Sequence, residues 1–277
     1  MKKAFRGLAA LAAVGALALS GCSAESGSTG GASGELQTVT EGKLTIATGE
    51  PAYEPWVVND DPASGEGFEA AVAYAVAKEL GFDPEDVVWV RTTFDSAIAP
   101  GPKDWDFNLQ QFSITEERKQ AVDFSSAYYV TTQAVVTVEG SPAAEATSIS
   151  DLKGVNVGVA SGTTSYTLAA EKLGEDALSV FNNNDDVVLA LQSGQIDALV
   201  VDLPTAFYLA AAVLDGGIVL GQFEGTDGGD EFGLVLPKGS PLTAAVTAAV
   251  DRLREKGTLA ELEATWLSEA VSVPVLK

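Results

Sequence analysis

The sequence predicts an α/β fold of two Rossmann-like lobes with a ligand cleft between them. From residue 43 onward, short apolar runs alternate with longer helical patterns, which is typical of βαβ units around a mostly parallel sheet. Two such series follow one another, and a β-rich run at residues 134–138 connects them. The chain leaves the first series near Val136 and returns near Gly233, so we expect two strand-like hinges. Because ligands bind at the carboxyl ends of strands in open α/β sheets, both lobes should face one shared cleft.

The first series begins with a strand at residues 44–48 and continues into an amphipathic helix. Phe68, Val72 and Leu80 fall on one face of this helix, and Gly81 is placed to end it. Two further strands are predicted at residues 87–90 and 106–109.

The second series opens with a strand at residues 155–159. The elements predicted after it are a helix to about residue 173, a short strand near Val180, a helix at 185–192, and strands at 196–201 and 232–236. A helical region at 242–267, broken near Gly257, follows. We therefore expect lobe 1 to comprise residues 43–136 plus 234–277, and lobe 2 to comprise residues 137–233.

Composition excludes several classes of function. The 277 residues include 39 acidic and 16 basic side chains, a formal net charge of −23, and 46% are hydrophobic, which describes a folded acidic protein. An acidic surface repels phosphate backbones, so no nucleic-acid partner is expected. The chain has no His and one Cys, so it cannot form a Ser-His-Asp triad, a His metal site or an internal disulfide. We expect no metal or other cofactor.

Residues 1–21 have the pattern of a secretory signal peptide, with basic residues before an apolar stretch too short to span a bilayer. Cys22 follows Leu-Ser-Gly and resembles the lipobox of bacterial lipoproteins, in which the Cys is acylated and becomes the mature N-terminus. A non-lipidated secretory signal with an incidental Cys is the alternative. Residues 22–42, rich in Ser, Gly and Ala at their start, are predicted to be the lipidated Cys and a flexible tether.

Residues 161–165, with the sequence Ser-Gly-Thr-Thr-Ser, are a candidate anion site between a strand and a helix start. Backbone N–H groups are unpaired at a helix start and the helix dipole is positive there. The hydroxyls equally fit an ordinary helix N-cap. The turn is too short for a P-loop and lacks its Lys.

Arg118 is a candidate partner for a ligand carboxylate, because a planar guanidinium can hold a carboxylate through two hydrogen bonds. The alternative is an ion pair with Glu116 or Asp123 on a solvated helix face.

Several segments carry a family resemblance. Residues 113–129 read SITEERKQAVDFSSAYY, close to a pattern of SIT-x-x-R followed by DFS and Tyr. Further similar segments occur in the same order along the chain, at 49–56, 67–69, 157–164, 194–202 and 253–259, and at Trp266. Together they resemble the bacterial family 3 extracellular solute-binding proteins, the amino-acid receptors of ABC importers. The resemblance implies the type II periplasmic binding protein fold.

The resemblance also implies how an amino acid would be held. Arg118 would bind the α-carboxylate, assisted by the hydroxyls of Ser113 and Thr164. The N–H groups of the Gly162, Thr163 and Thr164 turn would contribute from the other lobe. Asp202 would take the α-ammonium, although Asp202 also fits as the N-cap of a helix that begins near residue 203.

Six further residues are expected to form the pocket for the ligand's side chain, and two of them differ from the family pattern. Tyr53, Trp56 and Phe94 are candidate walls, although Trp56 also fits in a core. Glu50 stands where some relatives that bind basic amino acids carry an acid, which favours a cationic or polar ligand. Gln110 and Gln111 replace the Ser, Gly or Met usual in the family, and their amides are long enough to reach the ligand.

The implied function is that of a substrate-binding lipoprotein of an ABC importer, on the outer face of the cytoplasmic membrane. It would capture an amino acid by hinge closure and deliver it to the permease transmembrane subunits, most simply as a monomer. We expect no enzymatic activity. The alternatives are a ligand-sensing receptor, or a dehydratase or lytic enzyme on the same scaffold that uses Glu50, Glu54 or Asp202 as acid or base.

Overall fold

The computed structural model describes residues 36–224, 229–267 and 273–277. The predictions of a signal peptide, a lipidated Cys22 and a tether up to residue 35 lie outside the described residues. The described chain forms two mixed β-sheets flanked by helices, which confirms the predicted α/β class.

The elements follow one another along the chain in three groups. The first group contains β1 (Leu44–Gly49), α1 (Phe68–Leu80), β2 (Val87–Thr92), α2 (Phe94–Ile98), β3 (Phe107–Asn108), β4 (Val122–Thr131) and β5 (Gln133–Val138). The second group contains β6 (Val157–Ala160), α3 (Thr164–Leu173), β7 (Leu178–Phe181), α4 (Asn184–Gln192), β8 (Ala198–Asp202), α5 (Leu203–Tyr208) and β9 (Gly217–Phe223). The third group contains β10 (Asp230–Pro237), α6 (Thr243–Glu255), α7 (Thr258–Trp266) and β11 (Val275–Leu276).

Each sheet combines parallel and antiparallel strands. The first sheet has the strand order β2-β1-β3-β10-β4, with β1 parallel to β2 and β3, and with β10 antiparallel to both its neighbours. The second sheet has the order β11-β9-β5-β8-β6-β7, with β6 parallel to β7 and β8, and with β5 antiparallel to its neighbours. In both sheets the parallel strands carry the βαβ pattern that the sequence predicted.

The core of the first sheet forms because α1 and α6 each present an apolar face to it. Phe68, Val72 and Val76 of α1 are fully buried in one cluster with Val246 and Val250 of α6. The predicted end of α1 is confirmed, since Gly81 adopts a left-handed φ of 92° and its N–H closes the last turn.

The predicted lobe boundaries can be placed against the strands. Residue 136 lies inside β5, which pairs along the second sheet, and residue 233 lies inside β10, which pairs along the first. Both faces of β5 are covered by buried apolar clusters, so the whole strand is held within the second sheet. The strand β11 also pairs in the second sheet, although residues 234–277 were assigned to lobe 1. The chain therefore passes between the sheets three times, at Thr132 between β4 and β5, between β9 and β10, and between β10 and β11, and the division into lobes stays a prediction.

No helix within the three described ranges combines the length and the apolar character needed to cross a membrane.

A substitution at Gly67, which precedes α1, can test how closely the start of this helix packs against the backbone of Trp56. Its φ is 100° and a Cβ there would lie 2.5 Å from the carbonyl oxygen of Trp56. We predict that Gly67→Ala lowers the free energy of unfolding by roughly 2–5 kcal/mol, because backbone strain and overpacking each cost about 1–3 kcal/mol. Urea unfolding monitored by circular dichroism measures this change.

Gly81→Ala is the matched control, because Gly81 also has a positive φ but no neighbouring atom lies within 4 Å of the position that a methyl group would take there. Only the cost of backbone strain applies at this position, so this variant should lose less stability. Equal losses in the two variants would contradict the docked helix start.

Candidate functional site

A cavity of about 320 Å³ lies between the two sheets, within the usual size range of small-molecule sites. Its walls come from the carboxyl ends of β1 and β2 in the first sheet and of β6, β7 and β8 in the second, as expected for an open α/β sheet. The sequence-predicted residues that line it are Glu50, Tyr53, Phe94, Gln110, Gln111, Ser113, Arg118, Thr163, Thr164 and Asp202. Gly162 and Trp56 were also predicted but do not line it. The cavity therefore brings together most of the residues that the sequence assigned to a ligand.

Arg118 is 9% exposed and reaches across the cavity. Its Nη1 donates to the carbonyl oxygen of Ser113 at 2.8 Å, and its Nη2 donates to that of Gly162 at 2.9 Å. The guanidinium carbon lies 5.3 Å from the centroid of the Phe94 ring. Burial lowers the pKa of Arg118, and the nearby charges of Asp230 and Asp202 oppose that shift. The guanidinium is thus held rigidly at the cavity by neutral acceptors, with further donors available to a ligand.

The alternative of a solvated ion pair for Arg118 is wrong. Glu116 pairs with Lys119 at 2.7 Å, and Asp123 pairs with Lys238 at 3.0 Å. Both carboxylates are occupied by lysines at the surface, which leaves Arg118 to the cavity.

The hydroxyls of the turn before α3 have different partners. Thr163 is the N-cap of α3, since its Oγ1 accepts from the N–H of Tyr166 at 3.1 Å and donates to the carbonyl of Ala160 at 2.7 Å. Thr164 Oγ1 lies 3.1 Å from Ser113 Oγ, which joins the two sides of the cavity. The ordinary N-cap alternative therefore holds for the hydroxyl of Thr163, while that of Thr164 faces the other side of the cavity.

Asp202 occupies the N-cap position of α5, but its side chain makes no capping hydrogen bond with the described residues. One of its carboxylate oxygens instead accepts from Gln133 Nε2 at 2.7 Å. Burial raises the pKa of Asp202 to about 7, and the charge of Asp230 adds to this effect. The carboxylate thus lies at the cavity with little compensation for its charge.

Gln133 and Asp230 were missed in the sequence and connect the predicted residues. Gln133 is 3% exposed, and its Nε2 donates to Asp230 as well, at 2.8 Å. Its Oε1 accepts from the hydroxyl of Ser165, while Ser113 Oγ donates to Asp230 at 3.3 Å. The sequence does contain a signal for Gln133: it is a polar residue at the start of the apolar run 133–138, and a buried amide needs hydrogen-bond partners. Asp230 follows no pattern in the sequence.

The described residues contain no cluster of three or more His, Cys, Asp or Glu side chains that could hold a metal ion.

Gln111 is placed differently from the expectation. Its backbone has a φ of 51°, and both its N–H and its side-chain amide donate to the carboxylate of Glu69. Glu69 is 1% exposed and also accepts from the hydroxyl of Tyr128. Burial raises the pKa of Glu69 to about 7. The amide of Gln111 is therefore bound within the protein, although the residue lines the cavity.

The prediction that Trp56 forms a wall of the pocket is wrong. Trp56 is fully buried in the core of the first sheet, where its ring contacts Phe68, Tyr129 and Phe232 at centroid distances of 5.7–6.1 Å. Its Nε1 donates to Thr205 Oγ1 at 2.9 Å, on the side of the second sheet. The large apolar ring is more stable in that aromatic cluster than at a wet cavity wall.

Comparison with known proteins gives the family. The family model described as bacterial extracellular solute-binding proteins, family 3, matches residues 44–269. The L-arginine-binding protein of Pseudomonas aeruginosa is 30% identical over 268 residues, which cover 93% of this chain and 96% of that protein.

Solved structures are similar over most of the chain. An ancestral arginine-binding protein bound to glutamine has a TM-score of 0.70 at 30% identity, over 83% of this chain and 100% of that one. An ancestral amino acid-binding protein that is a precursor of cyclohexadienyl dehydratase has a TM-score of 0.67 at 32% identity, over 82% and 95%. The fold is therefore that of the type II periplasmic binding proteins, as the sequence predicted.

The raised pKa of Asp202 predicts a pH-dependent stability difference between the wild type and Asp202→Asn. An unfolded Asp titrates near pH 4, whereas native Asp202 titrates near 7. Between these values the native state keeps a proton that the unfolded chain has lost, so the free energy of unfolding falls as the pH rises. Three pKa units at about 1.4 kcal/mol each amount to about 4 kcal/mol, and the partial exposure of Asp202 reduces this value. We therefore expect the variant to be more stable than the wild type by roughly 2–4 kcal/mol at pH 8 and equally stable near pH 4.

Urea unfolding of both proteins at the two pH values measures this difference. Glu69 has a raised pKa in both proteins, so its contribution cancels. A difference that is the same at pH 4 and pH 8 would contradict the assignment to the Asp202 charge.

Proposed function

The chain belongs to the bacterial extracellular solute-binding proteins of family 3, and we propose that it captures an amino acid for an ABC importer. The observation that carries this proposal is that a buried Arg118 and a partly buried Asp202 line one cavity. An α-amino acid presents a carboxylate and an ammonium close together, and these two side chains are their complements. Buried charges are costly unless they are paired, so a zwitterion is the ligand that this cavity favours.

In this proposal both charged groups on the ligand's α-carbon bind side chains that already line the cavity. The α-carboxylate binds the free donors of Arg118 and the hydroxyls of Ser113 and Thr164. The backbone N–H groups of residues 162–164, at the start of α3, contribute from the second sheet. The α-ammonium binds Asp202, whose carboxylate accepts from Gln133 and has capacity for further donors.

We further propose that the ligand acts by joining lobe 1 to lobe 2. Several contacts already connect the first-sheet side with the second-sheet side, among them those of Arg118 with Gly162, Ser113 with Thr164, and Trp56 with Thr205. A ligand held by Arg118 and Asp202 adds interactions that exist only in the closed form, and so shifts the population toward closure. The permease transmembrane subunits would then recognise the closed protein.

We propose binding without chemical turnover. One similar protein is a precursor of a dehydratase, so the acids near the ligand are the relevant groups. Glu54 accepts from the backbone of Asn59 and does not line the main cavity, while Glu50 lines it and is exposed to solvent. Asp202 is assigned to the ammonium, so the described residues that line the cavity offer no buried acid and base pair to act on a bound amino acid.

The proposed setting is the outer face of the cytoplasmic membrane. Cys22 would carry the lipid and residues 23–42 would connect it to the folded part, which would act as a monomer. Two acyl chains provide the stable attachment that a single chain does not.

A thermal-shift screen of residues 23–277 against the common amino acids tests the binding proposal, with Arg118→Ala as the matched variant. Ligand at about 100 times its dissociation constant adds about 2.7 kcal/mol to the stability of the native state. We expect at least one polar or cationic amino acid to raise the melting temperature by several degrees.

Calorimetry with that amino acid should give an affinity for Arg118→Ala that is lower by roughly thirtyfold or more, because removing one partner of a buried charge pair costs about 2–5 kcal/mol. An ammonia or keto-acid product on prolonged incubation would contradict binding without turnover. Failure of every amino acid to stabilise the wild type would reject the proposed ligand class.

The anchoring proposal is tested by expressing full-length protein and Cys22→Ser in a bacterial host. We expect the wild type in the membrane fraction and labelled by a palmitate analogue, because the thiol is the acylation site. The variant should be unlabelled and lost from the membrane fraction. Equal membrane association of the two proteins would contradict a lipid anchor at Cys22.

A further inference from the structure

A buried carboxylate beside the cavity has no role in the binding of an amino acid as proposed above. Glu69 lies in the first turn of α1 and is 1% exposed, between the fully buried residues Phe68 and Ala70. A carboxylate is almost never buried to this degree unless it is paired. None of the ion pairs in the described part of the chain involves Glu69. Its hydrogen bonds therefore indicate what this acid does.

The carboxylate of Glu69 connects the core to one residue of the cavity wall. Its Oε1 accepts from the backbone N–H of Gln111 at 2.7 Å and from the hydroxyl of Tyr128 in β4, and its Oε2 accepts from the side-chain amide of Gln111. Two of the three donors thus belong to Gln111, which lines the cavity. The hydroxyl of Tyr128 holds the carboxylate in the core, and the carboxylate holds Gln111. We call the two hydrogen bonds to Gln111 the Glu69–Gln111 clamp.

Gln111 needs such support because its backbone has a conformation that residues with a Cβ disfavour. Its φ of 51° lies in the left-handed region, where glycine is the usual residue. The segments on either side are fixed to different strands, since the N–H of Leu109 donates to β1 and the carbonyl of Phe112 accepts from β10. The left-handed residue is the bend between these two pairings. The Glu69–Gln111 clamp stabilises that bend.

The bend at Gln111 sets the position of the groups that are proposed to hold the α-carboxylate. Two residues later, the carbonyl oxygen of Ser113 accepts from Arg118 Nη1 at 2.8 Å. The hydroxyl of Ser113 lies 3.1 Å from Thr164 Oγ1. A change of φ at Gln111 rotates the chain that follows it and so displaces both of these oxygens. Glu69 does not line the cavity, but it can affect the ligand through this bend.

We propose that Glu69 is a positioning residue for ligand binding, and that it acts by holding Gln111 in the left-handed bend that places Ser113 and Arg118 at the cavity. This inference rests on the proposed function. Without the clamp the bend relaxes in part of the population, and only the remaining fraction binds the ligand. The measured dissociation constant then rises in inverse proportion to that fraction. The intrinsic preference against the left-handed conformation corresponds to a rise of roughly five- to thirtyfold.

The competing explanation is that Glu69 only fills space in the core. Burial raises the pKa of Glu69 to about 7, whereas an unfolded Glu titrates near pH 4. Between these values the native state keeps a proton that the unfolded chain has lost, so the acid lowers the free energy of unfolding as the pH rises. A residue that only filled the core would do better without a carboxyl group. An acceptor for two donors of Gln111 fits a positioning role, which can be retained at some expense of stability.

The experiment breaks the clamp and then removes the need for it. Glu69→Met keeps a long unbranched side chain without the carboxylate oxygens, while Glu69→Gln keeps an acceptor and loses the charge. Gln111→Gly or Gln111→Ala is then added to Glu69→Met. Both second substitutions remove the same side-chain amide, but only glycine adopts a positive φ freely, so Gln111→Ala is the matched control.

Two measurements are made at pH 7.5 on the protein of residues 23–277, and urea unfolding checks that each variant folds. Calorimetry with each of the twenty standard L-amino acids gives dissociation constants. Nuclear magnetic resonance gives the hydrogen-exchange rate of the backbone amide of residue 111 in the protein without ligand. If Glu69→Met does not fold, Glu69→Ala replaces it, since that variant lacks the same acceptors and leaves space for water.

We expect Glu69→Met to weaken binding of the best amino acid by roughly fivefold or more. Addition of Gln111→Gly should bring the dissociation constant back to within about threefold of the wild type, whereas addition of Gln111→Ala should not. Glu69→Gln should bind about as well as the wild type, because its amide can replace the acceptor and pair with a rotated amide of Gln111. The amide of Gln111 should be protected in the wild type and exchange about tenfold faster or more in Glu69→Met.

Three results would overturn the inference while leaving the proposed function intact. Unchanged affinity in Glu69→Met would show that the bend needs no clamp. A loss that Gln111→Gly does not restore would make Glu69 a core residue without a positioning role. Equal restoration by Gln111→Ala would assign the loss to the side chain of Gln111 and not to its backbone.

The exchange measurement separates this inference from the proposed function. A rapidly exchanging Gln111 amide in the wild type would reject the clamp without reference to any ligand. Binding of no amino acid by the wild type would instead reject the proposed function, and with it the role of Glu69 in binding.

Discussion

The site depends on the burial of opposite charges on the two sides of one cavity. Arg118 lies in the turn before β4 of the first sheet, Asp202 ends β8 of the second, and each is held by neutral groups of the protein. Neither charge is neutralised by a direct ion pair with the other, so both pay for the loss of water. This cost is recovered when a molecule with the complementary charges lies between them. The same arrangement explains why binding and the approach of the two sheets are coupled.

Two of the passages of the chain between the sheets, from β4 to β5 and from β9 to β10, lie next to this site. Gln133 is the first residue of β5, which enters the second sheet, and Asp230 is the first residue of β10, which returns to the first. The hydrogen bond from Gln133 to Asp230 joins these passages, and Gln133 also holds Asp202. A ligand ammonium bound to Asp202 is therefore next to Gln133, whose backbone lies where the chain passes from the first sheet to the second. The proposed ammonium site lies there because the last residue of β8, Asp202, pairs with the first residue of β5, Gln133.

The fold was largely accessible from the sequence because βαβ units produce a strong local pattern. The strands β1, β2 and β8 were found since each is an apolar run. The long strand β4 was not identified as a strand, because its burial changes irregularly along its ten residues and the pairing of β10 with it contains bulges. Likewise, β11 joins the second sheet through a pairing distant in sequence, which no local pattern reports.

For the site, local sequence pattern identifies candidate residues, but packing decides which of them remain available to a ligand. The carboxylates of Glu69, which is buried, and Asp202, which is partly buried, illustrate this. Burial raises the pKa of both Glu69 and Asp202 to about 7, so titration alone does not separate them. Glu69 accepts three hydrogen bonds, from Tyr128 and from two donors of Gln111, and so is satisfied by the protein. Asp202 accepts one from the described residues.

A carboxylate has about four acceptor positions, so the shortfall at Asp202 leaves room for an incoming donor. The sequence indicated Asp202 through its resemblance to a family, but it could not count these partners, because Gln133 reaches it from a strand 69 residues away. Counting hydrogen bonds also explains why the side-chain amide of Gln111 is less available to a ligand than the sequence suggests, because it donates to the carboxylate of Glu69. Spare hydrogen-bonding capacity, rather than residue type or position, therefore distinguishes the groups available to a ligand from those that hold the cavity in shape.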